Sequence, residues 1–353
     1  MASNKSIKAV YRKLGNSGLR VSVPILGCMS FGEKVWQPWV LEEEDALPIF
    51  KAAYEMGVVT WDTANTYSNG KSEKIVAAAL KKYGIPRSKV QILTKCCVFT
   101  DDENPLVRGV KMSTSANTEY SNFMGLSRTA IFHQVEGSLR RLETDYIDLL
   151  QIHRFDYATP IEETMCALND LVRSGKVRYI GASSMFSFQF AMMQACAEKN
   201  GWTKFVSMQD ECSLLYREEE REMIKYCNLT GVGIIPWGPL AGGALARSPA
   251  IDTTRSDSVK NTVRSLPAFY DLSAGEAAQT IIKRVQEVAA KKQYTMAVVS
   301  LAWVLSKVSS PITGLSSIKR LEEAVAAGHC ALEEDEIKYL EEPYVPRPTR
   351  GFV

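Results

Sequence analysis

The sequence lacks the features that mark membrane proteins and nucleic-acid-binding proteins. No run approaches the roughly 18 apolar residues of a membrane span, and the polar residues 1–8 have no signal-peptide core. The 42 basic residues nearly balance the 40 acidic ones, leaving a formal net charge of +2 without a basic block. Nucleic acids and membrane surfaces are attracted by concentrated positive charge, so neither is expected as a partner. We expect a cytoplasmic protein that binds a small molecule.

Metal-binding patterns are also missing. The eight cysteines are irregularly spaced, without the CxxC pairs or neighbouring histidines of a zinc site. The chain has only three histidines. No metal is therefore expected, and the cysteines are expected to be reduced thiols that serve packing or lie at the surface.

The sequence does contain a repeating order of short β-rich run, turn and amphipathic helix, which is typical of parallel βα units. Eight strands are predicted: Ile25–Gly27, Val59–Asp62, Gln91–Lys95, Ile147–Ile152, Tyr179–Ala182, Phe205–Gln209, Gly233–Trp237 and Pro311–Thr313. Predicted helices include Glu42–Met56, Ser72–Lys82, Thr129–Leu142, Pro160–Ser174 and Ala274–Lys292. The pattern predicts an α/β fold, a (β/α)8 TIM barrel, as one domain over 1–353 with a core of about 11–334 and a C-terminal tail, 335–353.

Two further features lie outside the regular repeat. Tyr11–Leu14 and Arg20–Val23 flank a Gly-Asn-Ser-Gly turn, which predicts an N-terminal β-hairpin that could plug the barrel floor. The connections 96–127 and 239–273 are too long for plain βα loops. Each follows the C-terminal end of a predicted strand, the face where barrel enzymes carry their active sites. We interpret the first as a substrate lid, with a surface insertion as the alternative.

Four reactive side chains end or follow neighbouring predicted strands: Asp62, Tyr67, Lys95 and His153. A tyrosine hydroxyl has an ordinary pKa of about 10, so a proton donor at neutral pH needs neighbours that tune it. We expect Lys95 to lower the pKa of Tyr67, and Asp62 to hold Lys95 in place and charged. His153 could donate a hydrogen bond that orients a carbonyl oxygen. Together these groups predict an oxyanion site with a built-in acid.

The same tyrosine also has the Tyr-x-x-x-Lys spacing of short-chain dehydrogenases, with Lys71. There the motif works because one helix places both side chains on one face. Here Ser-Asn-Gly, a turn composition, stands between them, and the chain has no N-terminal glycine-rich fingerprint. Gly70-Lys71-Ser72 likewise ends like a phosphate-binding loop, but Asn65 stands where its first glycine is required. Both alternatives are disfavoured.

Three motifs make the chain similar to the aldo-keto reductases: Trp61–Tyr67 (WDTANTY), Leu93–Lys95 (LTK) and Asp145–His153 (DYIDLLQIH). The resemblance runs from about residue 11 to residue 334. Within the family, the sequence most resembles the fungal aryl-alcohol dehydrogenase-like branch, which includes reductases of secondary metabolism. It implies that the four residues above are a catalytic tetrad. The implied reaction is NADPH-dependent reduction of an aldehyde or ketone, with Tyr67 as proton donor.

The resemblance also implies a nicotinamide cofactor extended across the barrel mouth, without a Rossmann domain. Ser183, Ser184 and Gln209 match positions that hold the carboxamide in relatives, and Trp237 matches the aromatic residue that stacks on the nicotinamide. The predicted cofactor-binding residues are Asp62, Ser183, Ser184, Gln209, Trp237, Gly238, Pro239, Leu240, Ala241, Gly243, Arg247, Gly314, Ser316, Ser317, Arg320 and Glu323.

The phosphate groups are expected at two glycine-containing segments. Gly238–Gly243 would let backbone amides approach the pyrophosphate, with Arg247 as a possible partner. Gly314–Arg320 opens a helix after the last strand, where amides and basic side chains suit an anion. The forked guanidinium of Arg320 is predicted to bind the adenosine 2′-phosphate, so NADP(H) is expected rather than NAD(H).

Two positions depart from the common family pattern. Ser184 stands where many members carry Asn, and it keeps a hydrogen-bonding group. Ala324 also stands where many carry Asn, and it removes such a group near the adenine. Weaker cofactor affinity or a looser preference for NADP(H) would follow from Ala324, without a threat to the chemistry.

Aromatic residues near the long loops favour a bulky or aromatic carbonyl substrate. The predicted substrate-binding residues are Tyr67, His153, Phe31, Trp36 and Phe99, with Trp39 and Tyr270 as further candidates. Core or hairpin packing is the alternative for each aromatic residue. A regulatory function also stays open, because some family members are channel-associated β subunits that bind the cofactor and act mainly as partners. The sequence does not indicate an oligomeric state.

Overall fold

The computed structural model describes residues 7–101, 120–248 and 272–352, and it begins with the predicted hairpin. β1 (Val10–Lys13) pairs antiparallel with β2 (Arg20–Val23). At Gly15 in the turn, a Cβ would lie 2.3 Å from the carbonyl oxygen of Gly231, and φ is +56°. Only glycine fits so close a backbone contact in this conformation. The hairpin is thereby seated against the lower end of the sheet.

Eight parallel strands form that sheet: β3 (Ile25–Gly27), β4 (Thr60–Asp62), β5 (Gln91–Cys96), β6 (Ile147–Ile152), β7 (Val177–Ser183), β8 (Ser207–Gln209), β9 (Gly233–Ile234) and β10 (Ile312–Gly314). The hydrogen-bonded order is β10-β3-β4-β5-β6-β7-β8-β9, so the last strand lies beside the first. Between β9 and β10, the amide of Ile312 donates to the carbonyl of Pro236 at 2.9 Å. The predicted (β/α)8 barrel is confirmed, with strand bounds shifted by a few residues.

Helices pack around the sheet, and those of the described residues are α1 (Glu43–Glu55), α2 (Lys71–Lys82), α3 (Arg128–Arg141), α4 (Ile161–Arg173), α5 (Ser187–Asn200), α6 (Met223–Thr230), α7 (Glu276–Lys292), α8 (Met296–Leu305), α9 (Ile318–Ala327) and α10 (Glu334–Glu341). The five helices named from sequence are all present. None of the described helices combines the length and apolar character needed to cross a bilayer. The middle parts of the two long connections, and with them Tyr270, lie outside the described residues.

The barrel interior changes from apolar to polar along its axis. Leu93, Leu149 and Ile235 belong to a small buried cluster that also includes Leu14 and Val21 from the hairpin region. Side chains two residues apart on a strand point to the same face. The inner face above that cluster is therefore occupied by the polar residues that follow at spacing two on β5 and β6, Lys95 and Gln151. The strand period thus positions the site at the C-terminal end of the barrel.

A buried ion pair fastens two helices to the outside of β5. Arg141 of α3 donates from Nε to Oε2 of Glu73 in α2 at 2.6 Å, and Thr94 donates to the other oxygen at 2.6 Å. The side chains of Glu73 and Arg141 are 0% and 5% exposed. Because Thr94 and Lys95 are adjacent, their side chains point to opposite faces of the strand. The Glu73–Arg141 ion pair therefore supports β5 on its outer face, opposite Lys95.

Glu73→Ala is expected to lower the free energy of unfolding by about 3 to 5 kcal/mol, because it leaves the Arg141 charge buried without its carboxylate. Denaturant unfolding would measure the change. Glu55→Ala is the matched control, since it removes an exposed pair with Lys51 at 2.6 Å and should leave stability almost unchanged. Similar losses in both variants would contradict a special contribution from the buried pair.

Candidate active site

The four predicted catalytic residues come together at the C-terminal end of the barrel. Lys95 Nζ donates to Asp62 Oδ2 at 2.6 Å, to the carbonyl of Thr63 at 2.8 Å and to Tyr67 Oη at 3.2 Å. The side chains of Lys95 and Asp62 are 0% and 2% exposed. The His153 ring lies edge-on to the Tyr67 ring, with centroids 5.9 Å apart and an interplanar angle of 80°. A hydroxyl, an ammonium, a carboxylate and an imidazole therefore share one site.

The pKa shifts differ in part from the expectation. Burial raises the pKa of Tyr67 above its ordinary value, although the charge of Lys95 acts to lower it. Lys95 thus acts in the predicted direction, but desolvation of the phenolate is the larger effect, so the predicted net lowering is wrong. For Lys95, burial lowers the pKa, but Asp62 and Tyr67 outweigh it and the net direction is upward. The site therefore pairs a protonated tyrosine with a charged lysine.

The imidazole of His153 is held neutral. Burial lowers its pKa well below the ordinary value, and the positive charges of Arg154 and Lys95 act in the same direction. Its Nδ1 is buried and has no hydrogen-bond partner among the described residues. A neutral imidazole has one N–H donor and one acceptor nitrogen. His153 can therefore donate one hydrogen bond to an oxygen placed beside Tyr67.

An amide network below these residues fixes the second oxygen of Asp62. Gln151 and Gln209 each donate from Nε2 to Asp62 Oδ1 at 3.0 Å, and Gln209 Nε2 also donates to Gln151 Oε1 at 2.7 Å. The sequence interpretation missed Gln151, although it lies on β6, two residues before His153. Gln209, predicted to bind the carboxamide, is thus also part of the support of Asp62.

Residues at the ends of β7, β8 and β9 form a second network. Trp237 Nε1 donates to Ser184 Oγ at 3.1 Å, and the Ser184 amide donates to Asp210 Oδ1 at 2.8 Å. Ser183 Oγ donates to the carbonyl of Gln209 at 2.8 Å. Ser184 has a φ of 45°, a left-handed conformation that Asn adopts more readily than Ser. The predicted carboxamide and ring-stacking residues are therefore neighbours.

The backbone after Tyr67 separates this site from the short-chain dehydrogenase arrangement. Ser68 and Asn69 have φ values of 47° and 51°, so the helix begins only at Lys71. Asn69 Nδ2 donates to the carbonyl of Asp101 at 2.5 Å, which ties this turn to the loop after β5. Lys71 Nζ donates to Glu43 at 3.1 Å. Tyr67 and Lys71 therefore do not share a helical face, and that alternative is wrong.

A cavity of about 520 Å³ lies beside the site and collects most of the predicted cofactor residues. Of these, the cavity is lined by Gly238, Pro239, Leu240, Gly243, Arg247, Gly314, Ser316, Arg320 and Glu323. Ala324 also lines it, as do Lys34 and Trp39 from the first βα loop. Lys34 was not predicted, because nothing in the sequence relates that loop to the last strands. Asp62, Ser183, Ser184, Gln209, Trp237, Ala241 and Ser317 are not among the lining residues.

Local geometry suits an anionic, elongated group in this cavity. Gly243 has a φ of +99°, and a Cβ there would lie 2.6 Å from Nη1 of Arg247, so only glycine lets the guanidinium rest over the loop. Across the cavity, Arg320 donates from Nη1 to Ser316 Oγ. Ser317 accepts from the Arg320 amide at 3.3 Å and caps α9. Two arginines, glycine backbone and a helix N-terminus thus face one cavity, as a dinucleotide phosphate group would require.

The aromatic side chains predicted to bind the substrate are less accessible than expected. Phe31 is 0% exposed and packs on Phe50 with centroids 5.0 Å apart, so it belongs to the core. Phe99 is 4% exposed, beneath Tyr120. Trp36 is half-buried and lies edge-on to Trp39 at 6.2 Å. Phe31 and Phe99 therefore pack in the core, which was the alternative for each aromatic residue.

The C-terminal residues, predicted only as a tail, reach the mouth of the barrel. After α10 the chain extends to Arg350, which donates from Nε to Glu211 Oε2 at 2.8 Å. A Cβ on the next residue, Gly351, would lie 3.6 Å from Trp237. Phe352 packs edge-on against Phe186, with centroids 4.9 Å apart. No motif in the sequence indicates that the C-terminal residues pack at the barrel mouth, because this packing depends on single contacts between distant residues.

Comparisons with known proteins agree with this geometry. The model of the aldo/keto reductase family matches residues 25–344. An aldo-keto reductase of Fusarium vanettenii is 55% identical over 97% of this chain and 92% of that protein. A versiconal hemiacetal acetate reductase of Aspergillus parasiticus is 52% identical over 96% of this chain and 97% of that protein. A putative aryl-alcohol dehydrogenase of Schizosaccharomyces pombe is 51% identical over 98% of both chains. The predicted resemblance is confirmed: the chain belongs to the aldo/keto reductase family and is an oxidoreductase that acts on carbonyl compounds with a nicotinamide cofactor.

Proposed function

We propose that this protein reduces an aromatic or otherwise bulky aldehyde or ketone to the alcohol with NADPH, and that Tyr67 protonates the carbonyl oxygen. The observation that carries the proposal is the contact of Lys95 Nζ with both Asp62 and Tyr67, at 2.6 and 3.2 Å, beside a neutral His153. Relatives named as a reductase and as an aryl-alcohol dehydrogenase support the direction and the aromatic substrate.

Each group in the site has a separate task. Bound NADPH supplies the hydride that reduces the carbonyl carbon. His153 donates its N–H to the carbonyl oxygen and orients it toward Tyr67. Tyr67 transfers its proton to that oxygen, and the Lys95 ammonium stabilises the phenolate that remains. Asp62, fixed by two glutamine amides, keeps Lys95 charged and in place.

Residues around the cavity are proposed to hold the cofactor. Arg320 and Ser316 bind the 2′-phosphate, and the Gly238–Gly243 loop with Arg247 binds the pyrophosphate. The network of Ser183, Ser184, Gln209 and Trp237 holds the nicotinamide end. Ala324 is 2% exposed in the cavity wall, where it offers no hydrogen bond to an adenine.

The test is a screen of aromatic and aliphatic aldehydes and ketones, followed by NADPH absorbance, with NADH in parallel. Aromatic carbonyl compounds should be reduced fastest, and NADPH should support higher kcat/KM than NADH. A channel-type regulatory subunit, the competing possibility, would turn aldehydes over slowly and would co-purify in a stable assembly. Faster reduction with NADH would contradict the cofactor assignment.

Arg320→Ala is expected to weaken NADPH binding by about 10- to 150-fold, the effect of one charge-assisted hydrogen bond. NADH, which has no 2′-phosphate, should bind almost as before. Titration by protein fluorescence is practical, because Trp39 lines the same cavity. Lys319→Ala is the matched control, since this neighbouring cation is exposed and is not among the cavity-lining residues. Equal losses for both cofactors would mean that the substitution disturbs α9 instead.

A further inference from the structure

The residue after His153 carries a charge that its described neighbours leave unpaired. Arg154 is half-buried and directly follows the C-terminal end of β6. Its Nη1 donates to the carbonyl of His153 at 2.5 Å. Within the described residues, no carboxylate oxygen lies within 4.0 Å of its guanidinium, the distance that defines an ion pair. A cation that is partly removed from solvent without a partner has an unfavourable desolvation energy, and such groups concentrate at functional sites.

Four titratable groups act on Arg154 through their charge: Tyr67, Cys97, Asp210 and Glu211. The Asp210 carboxyl accepts a hydrogen bond from the amide of Ser184, and burial raises the pKa of this carboxyl, which weakens its negative charge near neutral pH. Burial also raises the pKa of the Cys97 thiol, to about 12, and that of Tyr67, so neither is an anion there. None of these three groups supplies a full negative charge to the guanidinium.

Glu211 is the remaining acid, and it already has a partner. Arg350 donates to both of its carboxylate oxygens, from Nε at 2.8 Å and from Nη2. The Arg350 side chain is 9% exposed and that of Glu211 is 3% exposed, so this pair is enclosed. Most of the five N–H donors of Arg154 consequently have no acceptor in the described protein.

Arg154 lies next to the tetrad and is not part of the lining of the predicted cofactor cavity. The cavity is lined from the first βα loop and from β9 onward, and Arg154 is not among its lining residues. It follows His153 directly and donates to the carbonyl oxygen of that residue, and its charge acts to lower the pKa of Tyr67 against the larger effect of burial. A molecule whose carbonyl oxygen contacts His153 and Tyr67 is therefore within reach of this guanidinium.

We propose that Arg154 binds an anionic oxygen of the substrate, either a carboxylate or an ionised phenol, attached close to the carbonyl group that is reduced. The planar fork of a guanidinium matches a carboxylate, and it favours such an oxygen over a neutral one. This inference rests on the proposed reductase function and narrows it. The substrate class becomes acidic aromatic carbonyl compounds.

The experiment compares kcat/KM for 2-, 3- and 4-carboxybenzaldehyde, their methyl esters, salicylaldehyde and benzaldehyde, with wild type, Arg154→Met and Arg154→Lys. Arg154→Met should lose about 10- to 150-fold on the best acidic aldehyde, the effect of one charge-assisted contact, and only a few-fold on benzaldehyde and the esters. Arg154→Lys should recover part of the loss on the acid. Salicylaldehyde, assayed above and below the pKa of its phenol, distinguishes a phenolate from a carboxylate preference.

Arg173→Met is the matched control, because Arg173 is exposed at the last residue of α4, and it should change neither substrate class. Equal losses on charged and neutral aldehydes in Arg154→Met would overturn the proposal and assign Arg154 a purely structural contribution. If wild type reduces no aldehyde at all, the proposed function fails, but binding still tests Arg154. Benzoate should then raise the Tm of wild type and not that of Arg154→Met, and equal shifts would exclude the anion site.

Discussion

Replacing Tyr67 with phenylalanine is expected to lower kcat for carbonyl reduction by about 100- to 10,000-fold, the contribution of a well-placed general acid. The substitution removes only the hydroxyl, which lies 3.2 Å from Lys95 Nζ, and keeps the ring beside His153. The Lys95–Asp62 pair at 2.6 Å also remains. Stopped-flow absorbance of NADPH would measure the rate, and the NADPH dissociation constant should stay nearly constant.

The matched control is Tyr294→Phe, which removes a hydroxyl from a tyrosine that is 41% exposed between α7 and α8. It should leave kcat unchanged. Turnover of Tyr67→Phe within a few-fold of wild type would show that another group supplies the proton. Loss of both kcat and NADPH affinity would instead indicate that the site had collapsed.

The raised pKa of Tyr67 gives this prediction a pH dependence. Because burial outweighs the effect of Lys95, the hydroxyl stays protonated throughout the neutral range. Its contribution to kcat for reduction should therefore be constant there and decline only as the pH approaches the raised pKa from below. The profile of Tyr67→Phe should lack that alkaline decline.

Lys95→Met is the second substitution with a large expected effect, a fall in kcat on the order of 100-fold or more. Without the ammonium, the phenolate form of Tyr67 loses its stabilising charge, so the pKa of Tyr67 rises further and proton transfer slows. The alkaline limb of the pH–rate profile should move to higher pH. A profile unchanged from wild type would contradict the coupling of the two residues.

The effect of Lys95→Met on folding stability must be distinguished from its effect on kcat, because the substitution leaves the Asp62 carboxylate charged in a buried site. Lys95→Met alone should lose about 3 to 5 kcal/mol of unfolding free energy. The double variant Asp62→Asn/Lys95→Met contains no unpaired charge and should regain stability without regaining turnover. Recovery of turnover in the double variant would assign Lys95 to folding alone.

The order of elements could be predicted because it depends on local sequence. Period-two strands, amphipathic helices and turn residues are repeated along the chain, and eight such units close into a barrel. The tetrad could be located for a related reason. Asp62, Lys95 and His153 end or directly follow strands that are neighbours in the sheet, and parallel strands bring those ends to one face.

Contacts between distant segments could not be predicted. The pairing of Arg350 with Glu211 joins residues at the end of the chain to the end of β8, and no local pattern relates them. The burial of Phe31 likewise depends on Phe50 in α1. The direction of the Tyr67 pKa shift could not be predicted for the same reason. Desolvation depends on everything that surrounds the hydroxyl, whereas the sequence indicates only its charged partners.

The pairing of the last barrel strand with the first has a consequence for protein synthesis. β3 must remain without one neighbour until β10 has left the ribosome, because the register joins Ile25 to Ile312 and Gly27 to Gly314. Contacts so distant in sequence form late and slowly. During translation, the growing chain therefore exposes two unpaired strand edges, which other chains could pair with. Fast production of this protein should favour aggregation of nascent chains, and slower translation or holding chaperones should favour the closed barrel.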